Sequence, residues 1–244
     1  MDLEISEAEG LRVMRFGTHW CQGAMRLDAP DRLEMEYALR MSAWLLFHDL
    51  ASLREQHLVT LGLGAGSLTK FAYRVLGVEA TAVEIEAEVI AACREHFMLP
   101  PDGAGLRVVH ADAADFIAKE RGFDVVQVDA YDASVDKPAL DSEAFYADCR
   151  GALRDGGTVA VNLVGRGLDV RASVARIRQG LQPRAVWQFP PTEAGNVVVI
   201  AHCGEMPPEE VLAARAVEIE QRWDLPAGSW LAMARRSAGP PPSA

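Results

Sequence analysis

Short apolar runs alternate with amphipathic segments through the middle of this chain, and the alternation limits the folds open to it. The apolar runs predict strands, and the segments between them predict helices. Predicted strands span residues 57–62, 78–84, 106–110, 123–129 and 157–163, and predicted helices span 67–76, 86–97, 113–120, 141–154 and 169–180. Strands separated by helices in this way imply right-handed crossovers and a mostly parallel sheet covered on both faces. The predicted fold class is therefore α/β, with a Rossmann-like sheet.

Two further predicted strands complete this sheet. They lie near residues 184–189 and 196–202, and only the turn-rich stretch PPTEAGN separates them. We therefore expect them to pair antiparallel at one sheet edge, which makes seven strands. A helix predicted from 207 to 223 would cover that edge or a second subunit. The tail SAGPPPSA, residues 237–244, cannot bury apolar surface and is predicted to be disordered.

The chain before the sheet has a different pattern. Residues 11–28 alternate loosely between apolar and polar side chains, which predicts one or two short strands in a hairpin. From Asp31 the apolar residues take helical spacing, and Asp31 is placed to cap a helix that runs to about Leu53. We therefore expect a small N-terminal β hairpin region at 1–30 and a Rossmann-like domain at 31–236.

Charge and cysteine content exclude several classes of partner. The chain has 35 acidic and 24 basic residues and a formal charge of −11, so its field repels nucleic acid and anionic membranes. It has no signal-peptide pattern and no apolar stretch near the ~18 residues of a membrane span, so we expect a cytoplasmic protein. The 4 cysteines lie far apart without a C-x-x-C pair, so we expect reduced thiols and no metal site.

A glycine-rich turn follows the first strand of the α/β series. The sequence HLVTLGLGAGSLTKF places Gly62, Gly64 and Gly66 directly before a predicted helix. Glycines let the backbone turn sharply and let a ligand lie against it, and the helix N-terminus offers unpaired N–H groups. Ser67 stands where a dinucleotide fingerprint has its third glycine, so pyrophosphate is less well served. The turn therefore predicts a nucleoside site, with a purely structural turn as the alternative.

Acidic residues follow the next three strands. Glu84 ends the second strand about twenty residues beyond the glycines, where a carboxylate reaches the ribose of a cofactor, unless it is simply solvated. Asp112 follows the third strand and either accepts a bond from an adenine amino group or caps the next helix together with Asp115. Asp129 and Asp132 follow the fourth strand, at the sheet edge where such folds place reactive groups.

These motifs together resemble a known family. GLGAGS, AVEIE, ADA, VDAYD and SEAFYADCRGALRDGGTVAVNL are similar, in order and spacing, to the nucleoside-binding domain of spermidine synthases and related proteins of the class I methyltransferase fold. The similarity covers roughly residues 55–203. The N-terminal region resembles the small β domain of that family, with Gln22 and Tyr37 in register with substrate-binding positions.

The resemblance implies an aminopropyltransferase whose donor is decarboxylated S-adenosylmethionine and whose acceptor is a small amine. It implies that Glu84 binds ribose and that Asp112 binds adenine. Asp129 falls on the catalytic aspartate of the family, and Asp132 on the second acid, which helps hold the cationic amine. A carboxylate is needed because an amine attacks only as the free base and is protonated at neutral pH.

Two departures leave other functions open. Ala65 stands where spermidine synthases usually carry an aspartate that grips the transferred group, and PPTEAGN replaces their tyrosine-containing segment. A methyltransferase that uses intact S-adenosylmethionine is therefore one alternative, and a nucleoside-binding protein without turnover is another. An open sheet edge and the apolar N-terminal helix around Trp44 further indicate a homodimer.

Overall fold

The structure is a computed structural model that describes residues 3–16, 21–130, 140–164 and 168–237. In these residues a small three-stranded sheet precedes a seven-stranded sheet with helices on both faces. No helix in the described part of the chain is long and apolar enough to cross a membrane.

The small sheet is antiparallel and has one strand more than the sequence pattern predicts. Its strands are β1 (Leu3–Ala8), β2 (Leu11–Phe16) and β3 (Cys21–Arg26), in that spatial order. Glu9 and Gly10 join β1 to β2 with positive φ angles of 53° and 78°. Two such residues match the twist of a tight hairpin. Because β1 is short and half-exposed, its alternation is too weak to mark it in the sequence.

A β-bulge interrupts the pairing of β2 with β3. Met14 pairs with Gly23, and Arg15 pairs with Cys21. Gln22 is therefore the extra residue of the bulge, which redirects the backbone at this point.

The large sheet confirms the predicted α/β class and its seven strands. They are β4 (His57–Leu61), β5 (Glu79–Glu84), β6 (Leu106–His110), β7 (Phe123–Val128), β8 (Leu153–Leu163), β9 (Ala185–Gln188) and β10 (Val197–His202). Their spatial order is β6-β5-β4-β7-β8-β10-β9, and β10 runs antiparallel to both of its neighbours. The chain reverses direction across the sheet at β4, where ligands bind in open α/β sheets.

Helices connect these strands at nearly all the predicted places. They are α1 (Glu36–Met41), α2 (Ser67–Lys70), α3 (Ala87–His96), α4 (Ala113–Ile117), α5 (Glu143–Ala152), α6 (Val170–Leu181), α7 (Glu209–Trp223) and α8 (Ala227–Ser237). A π-helical turn, Phe71–Leu76, extends α2. Since α8 reaches Ser237, the tail predicted to be disordered lies outside the described residues from 238 onward.

The long helix predicted from Asp31 to Leu53 was wrong in its extent. The α-helix begins only at Glu36 and passes into a 3-10 segment, Ser42–Phe47. Asp31 does not cap it, because its carboxylate pairs with the Arg74 guanidinium at 3.3 Å. Every residue of the 3-10 segment is buried, so tertiary packing decides the local geometry over helical propensity.

Apolar side chains fill both faces of the large sheet. The 3-10 segment, α7 and α8 pack on one face, and α4, α5 and α6 pack on the other. A third cluster joins the small sheet to the large one through Met14, Met25, Leu63, Ala65 and Phe97. This third cluster holds β2 and β3 against the glycine turn after β4.

Candidate functional site

The three predicted glycines form a turn that only glycine fits well. Gly62, Gly64 and Gly66 have φ angles of 96°, 50° and 70°, in the left-handed region. A Cβ atom on Gly62 would lie 2.3 Å from the Asp129 carbonyl oxygen. The Asp129 N–H also donates to the Leu61 carbonyl at 2.8 Å. The glycine turn is therefore locked against the end of β7, where Asp129 lies.

Strand β3 lies directly on the glycine turn. A Cβ atom on Gly23 would lie 2.6 Å from the Ala65 Cβ, and one on Gly64 would lie 3.0 Å from the Gln22 carbonyl oxygen. The Ser67 hydroxyl donates to the Ala24 carbonyl at 3.1 Å. The predicted substrate residue Gln22 thus meets the turn through its backbone, at the bulge of β3.

Glu84 links the glycine turn to the loop after β5. Its carboxylate accepts the Leu63 N–H at 2.9 Å and the Glu86 N–H at 3.0 Å. Each carboxylate oxygen has two lone pairs, so each can accept one more hydrogen bond. Glu84 is half-buried, and its position is compatible with the predicted contact to two ribose hydroxyls.

Asp112 caps α4, which was one of the two roles the sequence left open. Its carboxylate accepts the N–H groups of Ala114 at 2.8 Å and Asp115 at 3.0 Å. Asp112 is exposed, and its contact with adenine stays a prediction. Ile85, which directly follows Glu84, is 57% exposed and was not predicted as a site residue. An exposed apolar side chain at this edge offers a surface on which a flat ring can lie.

Asp129 lies at the end of β7 and is half-buried. Its carboxylate accepts the Asn162 Nδ2–H group at 2.8 Å and the Tyr37 hydroxyl. Burial raises the pKa of Asp129 to about 6, although these two hydrogen bonds act to lower it. The structure thus joins two predicted site residues, Tyr37 and Asp129. Asp132, the second predicted acid, lies outside the described residues.

Two asparagines behind Asp129 were missed in the sequence analysis. Asn162 of β8 is 3% exposed, and its Oδ1 atom accepts the Asn196 Nδ2–H group at 3.0 Å. Asn196 lies just before β10 and is 7% exposed. In the sequence only Asn162 stands out, as a polar residue inside the apolar run TVAVNLV. A single such residue does not indicate which side chain it contacts.

The site as a whole combines a glycine turn with a carboxylate of raised pKa. The glycine turn and Glu84 provide closely approachable backbone and unused acceptor capacity, which suits a nucleoside. Asp129 provides a carboxylate whose pKa near 6 leaves it ionised at neutral pH and able to accept a proton. The two features lie at the carboxyl ends of neighbouring strands, β4, β5 and β7, which is where the sequence predicts a nucleoside.

Known proteins resemble the chain in sequence over most of its length. Residues 59–157 match the family model described as a methyltransferase domain. A polyamine aminopropyltransferase from Chromobacterium violaceum is 32% identical over 234 residues, which cover 94% of this chain and 88% of that protein. A second, from Neisseria meningitidis, is 34% identical over 202 residues, which cover 82% of this chain and 75% of that protein.

A solved structure resembles the chain in fold. The crystal structure of a probable spermidine synthase from Corynebacterium glutamicum matches with a TM-score of 0.72 and 18% identity. The match covers 99% of this chain and 95% of that one. It supports the class I methyltransferase fold with an added N-terminal β sheet.

Proposed function

Because the chain belongs to the polyamine aminopropyltransferase family, we propose that it moves an aminopropyl group from decarboxylated S-adenosylmethionine to a small amine. The family membership confirms the resemblance that the motifs predicted. The observation that carries the proposed reaction is the Asp129 carboxylate, held by Asn162 and Tyr37 beside the glycine turn.

The residues around the glycine turn fit the adenosine part of the donor. In this proposal the nucleoside lies against Gly62 and Gly64, and the free lone pairs of Glu84 accept the ribose hydroxyls. Ile85 supports the adenine ring, and Asp112 accepts from its amino group while it caps α4. A carboxylate that already receives two backbone N–H groups is fixed in place, so little ordering remains for ligand binding to complete.

Asp129 is the base in this proposal. The acceptor nitrogen forms a bond to the methylene carbon beside the sulfonium, the carbon–sulfur bond breaks, and its electron pair stays on sulfur. Methylthioadenosine then leaves, and Asp129 accepts the proton that the acceptor nitrogen loses. The Asp132 carboxylate would attract the cationic amine. Gln22 and Tyr37 would line the acceptor side, where Tyr37 also orients Asp129.

Intact S-adenosylmethionine with methyl transfer is the second candidate, which Ala65 and the PPTEAGN segment permit. Ala65 is 2% exposed beneath Gly23, so this place in the turn offers no carboxylate for a donor amine. The match of residues 59–157 to a methyltransferase domain is also compatible with this candidate.

Calorimetry and product analysis separate the candidates. Binding is measured for S-adenosylmethionine, its decarboxylated form and methylthioadenosine, and products from a panel of small diamines are identified by mass spectrometry. Preference for the decarboxylated donor, with release of methylthioadenosine and an amine enlarged by one aminopropyl group, supports our proposal. Equal or reversed donor preference with methylated product supports the second candidate. Binding without any product indicates a non-catalytic nucleoside-binding protein.

We also propose a cytoplasmic homodimer. The apolar stretch around Trp44 packs inside the subunit, so it no longer supports dimerisation. Support now comes from β9, an edge strand of the large sheet. Light scattering across a range of protein concentrations tests this assembly, and a constant monomer mass contradicts it.

A further inference from the structure

A chain of buried amide side chains leads from Asp129 to the loop between β9 and β10. Asn162 donates its Nδ2–H group to the Asp129 carboxylate at 2.8 Å. Asn196 donates its own Nδ2–H group to the Asn162 Oδ1 atom at 3.0 Å. The Asn196 backbone N–H donates to the Thr192 hydroxyl at 3.0 Å, and that hydroxyl donates to the Asn196 Oδ1 atom at 3.4 Å.

This arrangement fixes which way each amide faces. An ionised carboxylate only accepts hydrogen bonds, so Asp129 requires the NH2 side of Asn162. The Asn196 NH2 group in turn requires the oxygen side of Asn162. A half-turn of the Asn162 amide would set oxygen against oxygen at Asp129 and NH2 against NH2 at Asn196. Asn196 therefore opposes the half-turn of the Asn162 amide that would remove the donor from Asp129.

The loop that carries Asn196 is closed by its own hydrogen bonds near β10 and is bound to α1 near β9. Thr192 donates its backbone N–H to the Asn196 carbonyl at 2.8 Å. At the other end, the Arg40 guanidinium donates to the Pro190 carbonyl. Arg40 belongs to α1, the helix that also presents Tyr37 to Asp129. Asn162 and Tyr37, which bind the Asp129 carboxylate, are thus both tied to the same loop.

We propose that Asn196 is a positioning residue of this enzyme, which acts through the Asn162 amide to keep a hydrogen-bond donor on the Asp129 carboxylate. The proposal deepens the proposed function and rests on it for the role of Asp129 as a base. Asn196 touches neither substrate nor reacting atoms in this scheme. It keeps the proton acceptor ionised and aimed.

Because few titratable groups in the described part of the chain contact Asp129, its pKa reports on the hydrogen bond that it receives from Asn162. Tyr37 of α1 is the titratable group in contact with it among the described residues, and Asn162 of β8 is neutral. Asp132 follows three positions later, outside the described residues. Burial raises the pKa of Asp129 to about 6, so changes in either direction fall in an accessible pH range.

The test replaces Asn196 with an isosteric residue that prefers the opposite Asn162 orientation. In Asn196→Asp the new carboxylate attracts the Asn162 NH2 group, which turns the amide oxygen toward Asp129. We expect the pKa of Asp129 to rise by about one unit or more. It is followed by NMR in ligand-free protein with ¹³C-labelled aspartate, and Asp129→Asn identifies the signal.

A double variant distinguishes an effect of the Asn162 amide orientation from direct repulsion between the new carboxylate and Asp129. If Asn196→Asp acts through the amide, its effect on the Asp129 titration falls by more than half in an Asn162→Leu background. If the added charge acts directly, the effect persists, and the proposal is overturned. Thr192→Val, which loosens Asn196 without a new charge, is expected to raise the same pKa by a smaller amount. Glu193→Gln changes the charge of the same loop at an exposed position and is expected to leave the pKa unchanged.

Kinetics provide the second readout. In Asn196→Asp the lower limb of the pH profile of kcat/KM is expected to move upward with the NMR titration, while affinity for methylthioadenosine stays within twofold. An unchanged Asp129 titration in a folded Asn196→Asp protein overturns the proposal. If the wild-type chain transfers no aminopropyl group but the titration shifts through Asn162, the proposed function fails and the positioning role of Asn196 stands.

Discussion

The Glu84 carboxylate holds the glycine turn by accepting the backbone N–H of Leu63 at 2.9 Å. Its other oxygen accepts the Glu86 N–H at 3.0 Å, so one side chain fastens the loops after β4 and β5 to each other. Glu84 therefore has a structural task before any ligand binds. Its replacement tests the structural and the ligand-binding task separately.

We expect Glu84→Gln to lower both the stability of the fold and the affinity for the nucleoside. The amide keeps one acceptor oxygen, so either the Leu63 or the Glu86 N–H loses its partner, and one ribose hydroxyl loses its charged acceptor. We expect affinity for methylthioadenosine to fall about 10- to 100-fold and the free energy of unfolding to fall by about 1–2 kcal/mol. Calorimetry and urea unfolding measure the two effects.

The control for this prediction is Glu95→Gln, an exposed carboxylate of α3. It should change neither quantity. A 2′-deoxy analogue of methylthioadenosine sharpens the result, because the wild type should prefer the ribose form and Glu84→Gln should lose most of that preference. An equal preference in both proteins contradicts the ribose role of Glu84.

The ionisation of Asp129 should set the acid limb of the reaction. Burial raises its pKa to about 6, and only the carboxylate form accepts a proton. We therefore expect kcat/KM to be full above this pKa and to fall about tenfold per pH unit below it. Asp129→Asn should lower kcat by about 100-fold or more while methylthioadenosine affinity stays within twofold. Comparable losses of affinity and rate in this variant would falsify the assigned role.

The parts of the fold that the sequence predicted well are those in which local signals and packing agree. At β4 an apolar run leads into glycines that the turn requires, with Gly62 at a φ of 96°. The segment from Ser42 to Phe47 is different, because all its side chains are buried and no polar face marks a helical period. Its 3-10 geometry follows from neighbours that are distant in the chain.

The candidate site also contains residues that local signals predict and residues that only distant packing brings together. Glu84 and Asp129 were predicted because the carboxyl ends of parallel strands meet at one edge. Asn162 and Asn196 meet only because β8 and β10 pair antiparallel, with Val198 opposite Asn162. Their contact joins residues 34 positions apart in the chain. A hydrogen bond of this kind depends on strand register, which the predicted strand boundaries do not fix.

Acid should weaken the fold through His48. Its Nε2 atom lies 2.8 Å from the Thr158 hydroxyl, which lies 2.9 Å from the His202 Nδ1 atom. His202 Nε2 donates to the Glu205 carbonyl at 3.2 Å, so its Nδ1 atom accepts from Thr158 and His48 donates to Thr158. Burial lowers the pKa of His48 to about 3, and both rings are neutral at pH 7.

Proton linkage determines the direction in which pH changes the free energy of unfolding. The pKa of His48 is lower in the folded state than its ordinary value of 6.5, so only the unfolded chain takes up the proton between pH 6.5 and about pH 3. The folded protein therefore loses stability as the pH falls through this range. His48→Gln keeps an N–H group for Thr158 and does not titrate. Between pH 7 and pH 5 the unfolding free energy of the wild type should drop by about 2 kcal/mol relative to this variant. Parallel pH profiles in urea unfolding contradict the prediction.

Gly23→Ala should lift β3 from the glycine turn. The new Cβ atom would lie 2.6 Å from the Ala65 Cβ and 2.9 Å from the Ala65 nitrogen, and neither can move without shifting the turn. We expect the free energy of unfolding to fall by about 1–3 kcal/mol and methylthioadenosine affinity to fall several-fold. Gly103→Ala is the matched control, because no atom lies within 4 Å of its new Cβ.

Combining Gly23→Ala with Ala65→Gly tests whether this contact causes the losses of stability and affinity. Ala65→Gly removes the methyl group that the Gly23→Ala side chain would strike, so the double variant should recover part of the lost stability and affinity. Recovery arises because the two substitutions act on one contact, which makes their effects non-additive. If the two losses simply add, the small sheet does not shape the glycine turn through this contact. The position of β3 would then have no bearing on how the turn receives a nucleoside.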